Sequence, residues 1–113
     1  MRVLLVDDNQ DSLDLMVELL HIDGHEVHAA NDGPSALEIL KHFTPELAIL
    51  DLGLPGMDGN ELAVQIRALH GTRTRLIALS GFDATKASPA FDAHLLKPVS
   101  PKRLRELLSW RGA

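Results

Sequence analysis

The residues with the most chemistry to offer are Asp7, Asp8, Asp51, Ser80 and Lys97. Each stands at the end of a short apolar run: "VLLV" precedes Asp7 and Asp8, "LAIL" Asp51, "LIAL" Ser80 and "HLL" Lys97. Three carboxylates drawn to one place repel, since two unit charges about 5 Å apart cost roughly 3 kcal/mol at an effective dielectric of about 20. Something cationic must sit among them. Lys97 supplies one charge, and an all-oxygen donor set with few protein ligands suits Mg²⁺, which keeps several waters and takes one or two carboxylates plus a phosphate. A carboxylate beside such an ion can attack an incoming phosphoryl group, chemistry that rests on position and on neutralising the equatorial oxygens. Each residue also has a plain reading: "DD" as a loop and cap signal, Asp51 as a strand end, Ser80 as a turn, "KP" as a boundary. What favours a site is that all of them occur in order, each closing a separate strand-like run.

The elements that must position these residues alternate strand and helix with short punctuation, the pattern of βα units building a parallel sheet covered on both faces. "RVLLVD" is near-continuously apolar, as a central parallel strand must be. In "NQDSLDLMVELLHIDG", Leu13, Met16, Val17 and Leu20 fall at helical spacing, with Asn9 as N-cap and Gly24 as the stop. "HEVHAA" reads as a weaker strand, and "NDGPSALEILKHF" as a helix with Pro34 near its first position and Ala36, Leu37 and Leu40 inward. "ELAILDL" is the third strand. "GLPGMDG" is a loop leading into "NELAVQIRALHG", where Leu62, Ile66 and Leu69 make the buried stripe and Gly71 ends the helix. "TRLIALS" and "AHLLK" are the last strands. "SPKRLRELLSW" opens with Ser100 as cap and Pro101 at the first helical position. In such a sheet the ligand crevice lies beyond the carboxyl ends of the strands, where all five chemical residues fall.

Composition bounds the reading. A chain of 113 residues, 45% hydrophobic and 24% charged, fits one domain. No apolar run is long enough to span a bilayer, and Arg2 with "VLLV" followed at once by "DD" does not resemble a cleavable signal peptide, so the expected location is cytoplasmic, without membrane contact. The absence of cysteine excludes disulfides and thiolate metal sites, and a formal net charge of −5 gives no electrostatic footprint for nucleic acid. The six histidines are scattered: His21 and His25 straddle Gly24, and His42 and His70 lie near helix C-termini, where partial positive charge is mildly favourable. They read as exposed or capping residues. Trp110, near the end of the last helix, reads as a partly buried residue.

The combination of "VLLVDDN", "LAILDLGLPGMDG", "LIALSG" and "HLLKPV" resembles a response-regulator receiver domain over nearly the whole chain. The domain could be a stand-alone regulator or the receiver of a hybrid histidine kinase, which "GLPGMDGNELA" and "FDAHLLKPVSP" resemble somewhat more closely. The resemblance implies that residues 1–113 form a single receiver domain with a flavodoxin-like, doubly wound, five-stranded parallel sheet of order 2-1-3-4-5 and helices on both faces. It implies Asp51 as phosphoacceptor, taking phosphate from a phosphohistidine on a histidine kinase or phosphotransfer protein. It further implies Mg²⁺ held by Asp8, Asp51 and the backbone carbonyl of Gly53, with Asp7 acting through water, and makes Lys97 and the Ser80 hydroxyl the phosphoryl partners. Pro98 would follow a cis peptide bond, which X-Pro tolerates as other peptides do not. Such a domain is not an enzyme beyond its own phosphorylation and dephosphorylation.

Two features depart from the family pattern. The switching position three residues before the lysine, usually Tyr or Phe, is His94, which can fill or leave a pocket and hydrogen-bond in either place. And only the 13 residues from Gly81 to Ala93 separate Ser80 from His94, where a parallel crossover needs about a dozen residues and usually spends them on a helix. With Pro89 breaking any helix through it, the family's fourth helix is expected to be short or absent, one or two turns around Asp83 to Ser88 with Ala84 and Ala87 as contacts. An alternative reading follows: a receiver-like interaction module that binds without phosphorylation. A phosphatase of the haloacid-dehalogenase-like kind is disfavoured, because that pattern wants a second Asp two residues after the first and here Asp7 and Asp8 are followed by Asn9.

Overall fold

The computed structural model describes residues 1–81 and 87–109. Strands β1 (Arg2–Val6), β2 (Glu26–Ala30), β3 (Leu47–Asp51), β4 (Arg75–Ser80) and β5 (Ala93–Leu96) form one parallel sheet of order β2-β1-β3-β4-β5. Between them run α1 (Gln10–Ile22), α2 (Gly33–Leu40) and α3 (Gly59–His70), the last followed by a 3₁₀ turn at Gly71–Arg73; α4 (Pro101–Ser109) follows β5. This is the flavodoxin-like arrangement expected from the sequence.

The order of strands explains their composition. β3, at the centre, is buried at all five positions, whereas the edge strands β2 and β5 each bury one residue fully. Successive side chains point to opposite faces, so Val3, Leu5, Leu47 and Ile49 meet Leu13, Met16 and Leu20 of α1 and Leu104, Leu107 and Leu108 of α4. Leu4, Val6, Ala48 and Leu50 meet Ala36 and Leu40 of α2 and Leu62 and Ile66 of α3 on the other face. Two cores back onto one sheet, and the sheet's carboxyl rim is left for polar residues.

Helix starts are set by side-chain caps. Asn9 accepts from the Ser12 N–H at 3.1 Å, Asp32 from Ser35 at 2.8 Å, Asp58 from Glu61 at 2.9 Å and Ser100 from Arg103 at 3.1 Å. The Asp32 and Asp58 caps extend the sequence reading, and Asp58 with Glu61 three residues on has the spacing of a capping box. α1 ends at Gly24, whose φ of +86° is a conformation that suits glycine. One expectation fails: Leu69, assigned to the buried stripe of α3, is 61% exposed. At 100° per residue it falls past the edge of the arc defined by Leu62, Ala63 and Ile66, and Ala63 takes the buried place.

Between β4 and β5 no helix occurs among the described residues; residues 83–86 of the expected helix lie outside them, as does Trp110. Residues 88–91 form a turn in which the Phe91 N–H donates to the Ser88 carbonyl at 3.1 Å and the Ala90 N–H to the Ser88 Oγ at 2.9 Å. Pro89 sits at the second position of this turn, which its fixed φ favours. Arg67 of α3 holds the segment from the side, donating to the carbonyls of Gly71 (2.6 Å), Thr74 (2.9 Å) and Ala90 (2.9 Å) and to Asp92 Oδ2 (3.0 Å). No helix of the described residues is long and apolar enough to cross a membrane.

α3 packs tightly against the end of β3. A Cβ on Gly59 would stand 2.4 Å from the Asp51 carbonyl oxygen, a backbone atom that cannot yield. Gly59→Ala is therefore expected to lower the thermal midpoint by roughly 5–10 °C, against the helix propensity that favours Ala. An unchanged or raised midpoint in a thermal scan would refute the close approach.

At the opposite end of the molecule Arg105 of α4 reaches Asp23 with N···O distances of 2.8 and 3.3 Å, and this guanidinium holds the Asp23 carboxyl below the usual carboxylate range. A depressed folded-state value means the contribution is present above the unfolded value near pH 4 and is lost as pH falls through the folded one. Arg105→Gln should lower the urea midpoint slightly at pH 7, with the two proteins converging in acid. A gap that persists unchanged below about pH 3 would be inconsistent with this linkage.

Candidate functional site

The site is assembled at the sheet's carboxyl rim. The Asp7 side chain follows β1, Asp51 is the last residue of β3, Ser80 the last of β4, and Lys97 follows β5. Parallel register brings them level: Asp51 is opposite Leu79, Ser80 is opposite Leu96, and the Lys97 N–H donates to the Ser80 carbonyl at 2.9 Å. Asp7, Asp51 and Ser80 are 1%, 5% and 7% exposed, whereas Asp8 is open to solvent. One oxygen from each of Asp7, Asp8 and Asp51 lies within 4.8 Å of the others, and this is the cluster with metal-ligand spacing among the described residues.

Lys97 crosses the cluster, its Nζ donating to Asp51 Oδ2 at 2.8 Å and to Asp7 Oδ1 at 3.3 Å. The other Asp51 oxygen, Oδ1, accepts from the Gly53 N–H at 2.9 Å, and Asp7 Oδ1 also accepts from the Asn9 N–H at 3.0 Å. Asp7 Oδ2 is buried with no hydrogen-bond partner. Burial pushes the Asp7 carboxyl above its ordinary range, reinforced by neighbouring Asp51, and Asn9 and Lys97 do not reverse it. Burial also opposes charge on Asp51, but there the Lys97 ammonium and the Gly53 N–H prevail and hold the carboxyl low. Lys97 is itself partly desolvated, yet the two carboxylates hold its ammonium above the ordinary lysine value. Asp51 is thus an ionised, oriented carboxylate with little water around it.

The donor set fits a hard dication. Three carboxylate oxygens converge, one buried carboxylate oxygen is orphaned, and no nitrogen or sulfur ligand is among them. An orphaned buried oxygen costs free energy until something cationic or donating meets it. Gly53 lies beside the cluster through its N–H to Asp51, and the Lys97–Pro98 peptide bond is cis.

His94 pairs with Ala78 in register on β5, half-buried, its Nε2 enclosed and unpartnered. Its neighbour Leu95 enters the α1/α4 core, so by alternation His94 and the 60% exposed Leu96 face the side of α2 and α3. The sequence reading assigned no role to Arg67 or Asn60. Asn60, in the first turn of α3, accepts from the Ser88 N–H at 2.7 Å, and Arg67 lies seven residues on along the same side of the helix. The seven-residue spacing was the available signal, but nothing in the sequence says what that side of α3 meets.

The family model of the response regulator receiver domain matches residues 3–109. The chain belongs to this family. It is 34% identical to the sensor histidine kinase GacS of Pseudomonas protegens over 121 aligned residues, covering 98% of this chain and 13% of the kinase. Among solved structures, a CheY-like receiver from Methanospirillum hungatei superposes with a TM-score of 0.87 at 30% identity, over 95% of this chain and 89% of that one. TrrA from Thermotoga maritima, determined in complex with Mg²⁺ and BeF, gives 0.84 at 29% identity over 95% of each chain. A receiver is a signalling module rather than a conventional enzyme, and its acidic cluster here is Asp7, Asp8 and Asp51.

The orphaned oxygen generates a prediction for the metal-free protein. Asp7→Asn removes a buried carboxyl held against two others and should raise the thermal midpoint in EDTA by about 4 °C or more. A lower midpoint would show that the Asp7–Lys97 contact outweighs the repulsion.

Proposed function

We propose that this receiver is a phosphoacceptor, with Asp51 as the residue that takes phosphate from a phosphohistidine on a histidine kinase or a histidine phosphotransfer protein. The observation that carries the reading is the state of Asp51: buried, ionised, and oriented by Lys97 and Gly53 at the floor of an acidic cluster. A carboxylate oxygen attacks phosphorus as the P–N bond to the donor imidazole breaks, and the departing imidazole takes a proton from water. Asp51 gains an acyl phosphate. Catalysis is positioning and charge neutralisation, so the protein needs no group that changes oxidation state.

Mg²⁺ would be held by Asp8, Asp51 and the carbonyl of Gly53, with Asp7 acting through water, and when bound it would neutralise the phosphoryl oxygens. Lys97, which now spans two carboxylates, pairs with the phosphoryl group, and the Ser80 hydroxyl donates to one of its oxygens. Added charge of about −1.5 to −2 with three acceptors is enough to redirect both. The complex of TrrA with Mg²⁺ and BeF supports this use of a receiver cluster. We place the domain in the cytoplasm, where its donors act, and assign it no nucleic-acid or membrane contact of its own.

A second reading, partner binding independent of phosphorylation, draws on His94 at the position usually held by Tyr or Phe. The two separate cleanly. A small phosphodonor such as acetyl phosphate with Mg²⁺ should add one phosphoryl group by intact mass, lost on Asp51→Asn and on chelation of the metal. An unmodified mass for the unmutated protein rejects the phosphoacceptor reading and leaves the second.

A further inference from the structure

Oxidisable sulfur in this chain is thioether sulfur, with three methionines and no cysteine. Met16 is 6% exposed, inside the core beneath α1, and Met1 precedes β1 at the end of the strand away from Asp7. Met57 stands apart from both, half-buried in the 52–58 loop that leads from Asp51 into α3. Its side chain lies flat on the first residue of α2: a Cβ at Gly33 would stand 2.9 Å from the Met57 Sδ, 3.0 Å from its Cβ and 3.2 Å from its Cγ. From α3, the exposed Gln65 donates through Nε2 to the Met57 Sδ at 3.7 Å.

That contact pairs a good donor with a poor acceptor, because thioether sulfur accepts only weakly. The thioether also holds the loop in place. Leu54 and Met57 seat it in the apolar core shared by α2 and α3, and Gly53, beside Leu54, supplies the N–H that orients Asp51 Oδ1 at 2.9 Å. Oxidation turns a flexible apolar side chain into a polar one. The new acceptor oxygen is drawn to the Gln65 amide, and the buried Gly33 loses its cover.

We propose that Met57 is a modification site through which hydrogen peroxide acts on this receiver: its sulfoxide is captured by the Gln65 amide, the 52–58 loop loses its seat on α2, and Asp51 accepts phosphate more slowly. The sulfur lone pair attacks one peroxide oxygen, and an S–O bond forms as the O–O bond breaks. The proton on the transferred oxygen passes to the departing hydroxide, giving water. Sulfur is oxidised by two electrons and the peroxide is reduced. Met57 is a positioning residue and touches no phosphoryl group. Its effect on Asp51 rests on the phosphoacceptor reading; its oxidation does not.

Hydrogen peroxide is the probe, with oxygen uptake mapped to each methionine by peptide mass and phosphorylation by acetyl phosphate with Mg²⁺ timed on the same samples. Met57 should gain one oxygen before Met16 does, and phosphorylation should slow about fivefold or more, since its rate rests on positioning. Methionine sulfoxide reductases acting on both epimers should restore the rate. Met57→Leu, which keeps the volume without the reactive sulfur, should lose the response to peroxide relative to its own untreated rate. Gln65→Ala, which lacks the capturing amide, should be slowed less. Met57 spared while Met16 is oxidised, an oxidised Met57 with an unchanged rate, or equal slowing in Met57→Leu overturns the proposal, and equal slowing in Gln65→Ala overturns the capture. An untreated, unmutated protein that takes no phosphate overturns the reading of Asp51 and the effect proposed for it, while the mass map still decides whether Met57 is oxidised.

Discussion

The structure depends on one ammonium. Lys97 stands between two buried carboxylates that sequence position keeps 44 residues apart and the parallel register brings level, Asp7 after β1 and Asp51 at the end of β3. Without a cation at that point the central strands would end in like charges facing one another out of water, at a cost of several kcal/mol. The contact also closes the sheet: β5, a four-residue edge strand, is secured at its amino end by Asp92 and Arg67 and at its carboxyl end by Lys97. The ammonium at the acidic cluster therefore also does a share of the folding, and anything that attracts it elsewhere is felt by the strand that carries it.

The two cores behind the rim explain why such a tightly coupled site is tolerated. β1, β3 and β4 are apolar on both faces, and what they lose in sequence variety they return as a rigid platform on which carboxylates can be held within a few ångströms. Packing is tight where Gly59 meets the Asp51 carbonyl, because there the helix start and the Asp51 backbone are in contact with no side chain between them. The pKa directions follow from the same geometry. Asp7 and Asp51 are similarly enclosed, and what parts them is the nearer Lys97 ammonium at Asp51 together with their mutual contact, which raises Asp7 and lowers Asp51.

Much of this was legible in the residues. A central parallel strand has to be apolar throughout, so "RVLLV" and "LAILD" announce themselves, and polar residues at the carboxyl ends of such strands have few places to be except one rim. The Asn9 and Ser100 caps and the Gly24 stop are local events encoded within three or four residues, and those were readable as well. Leu69 was misplaced because apolar periodicity does not say where the buried arc of a helix ends when a small residue such as Ala63 can fill it. Asn60 and Arg67 were invisible for a different reason: their partners on the connection between β4 and β5 lie 23 to 28 residues away in a segment with no periodicity to read.

That last point bears on how freely the connection between β4 and β5 can change. Arg67 grips Gly71, Thr74 and Ala90 by their carbonyl oxygens, and Asn60 grips Ser88 by its N–H. Hands that hold the main chain are indifferent to the alphabet written on it. Apart from Asp92, whose carboxylate Arg67 and the Leu76 N–H also hold, mutations that preserve the path of residues 88–92 leave those bonds in place, so the surface displayed there can be rewritten without touching the acidic cluster.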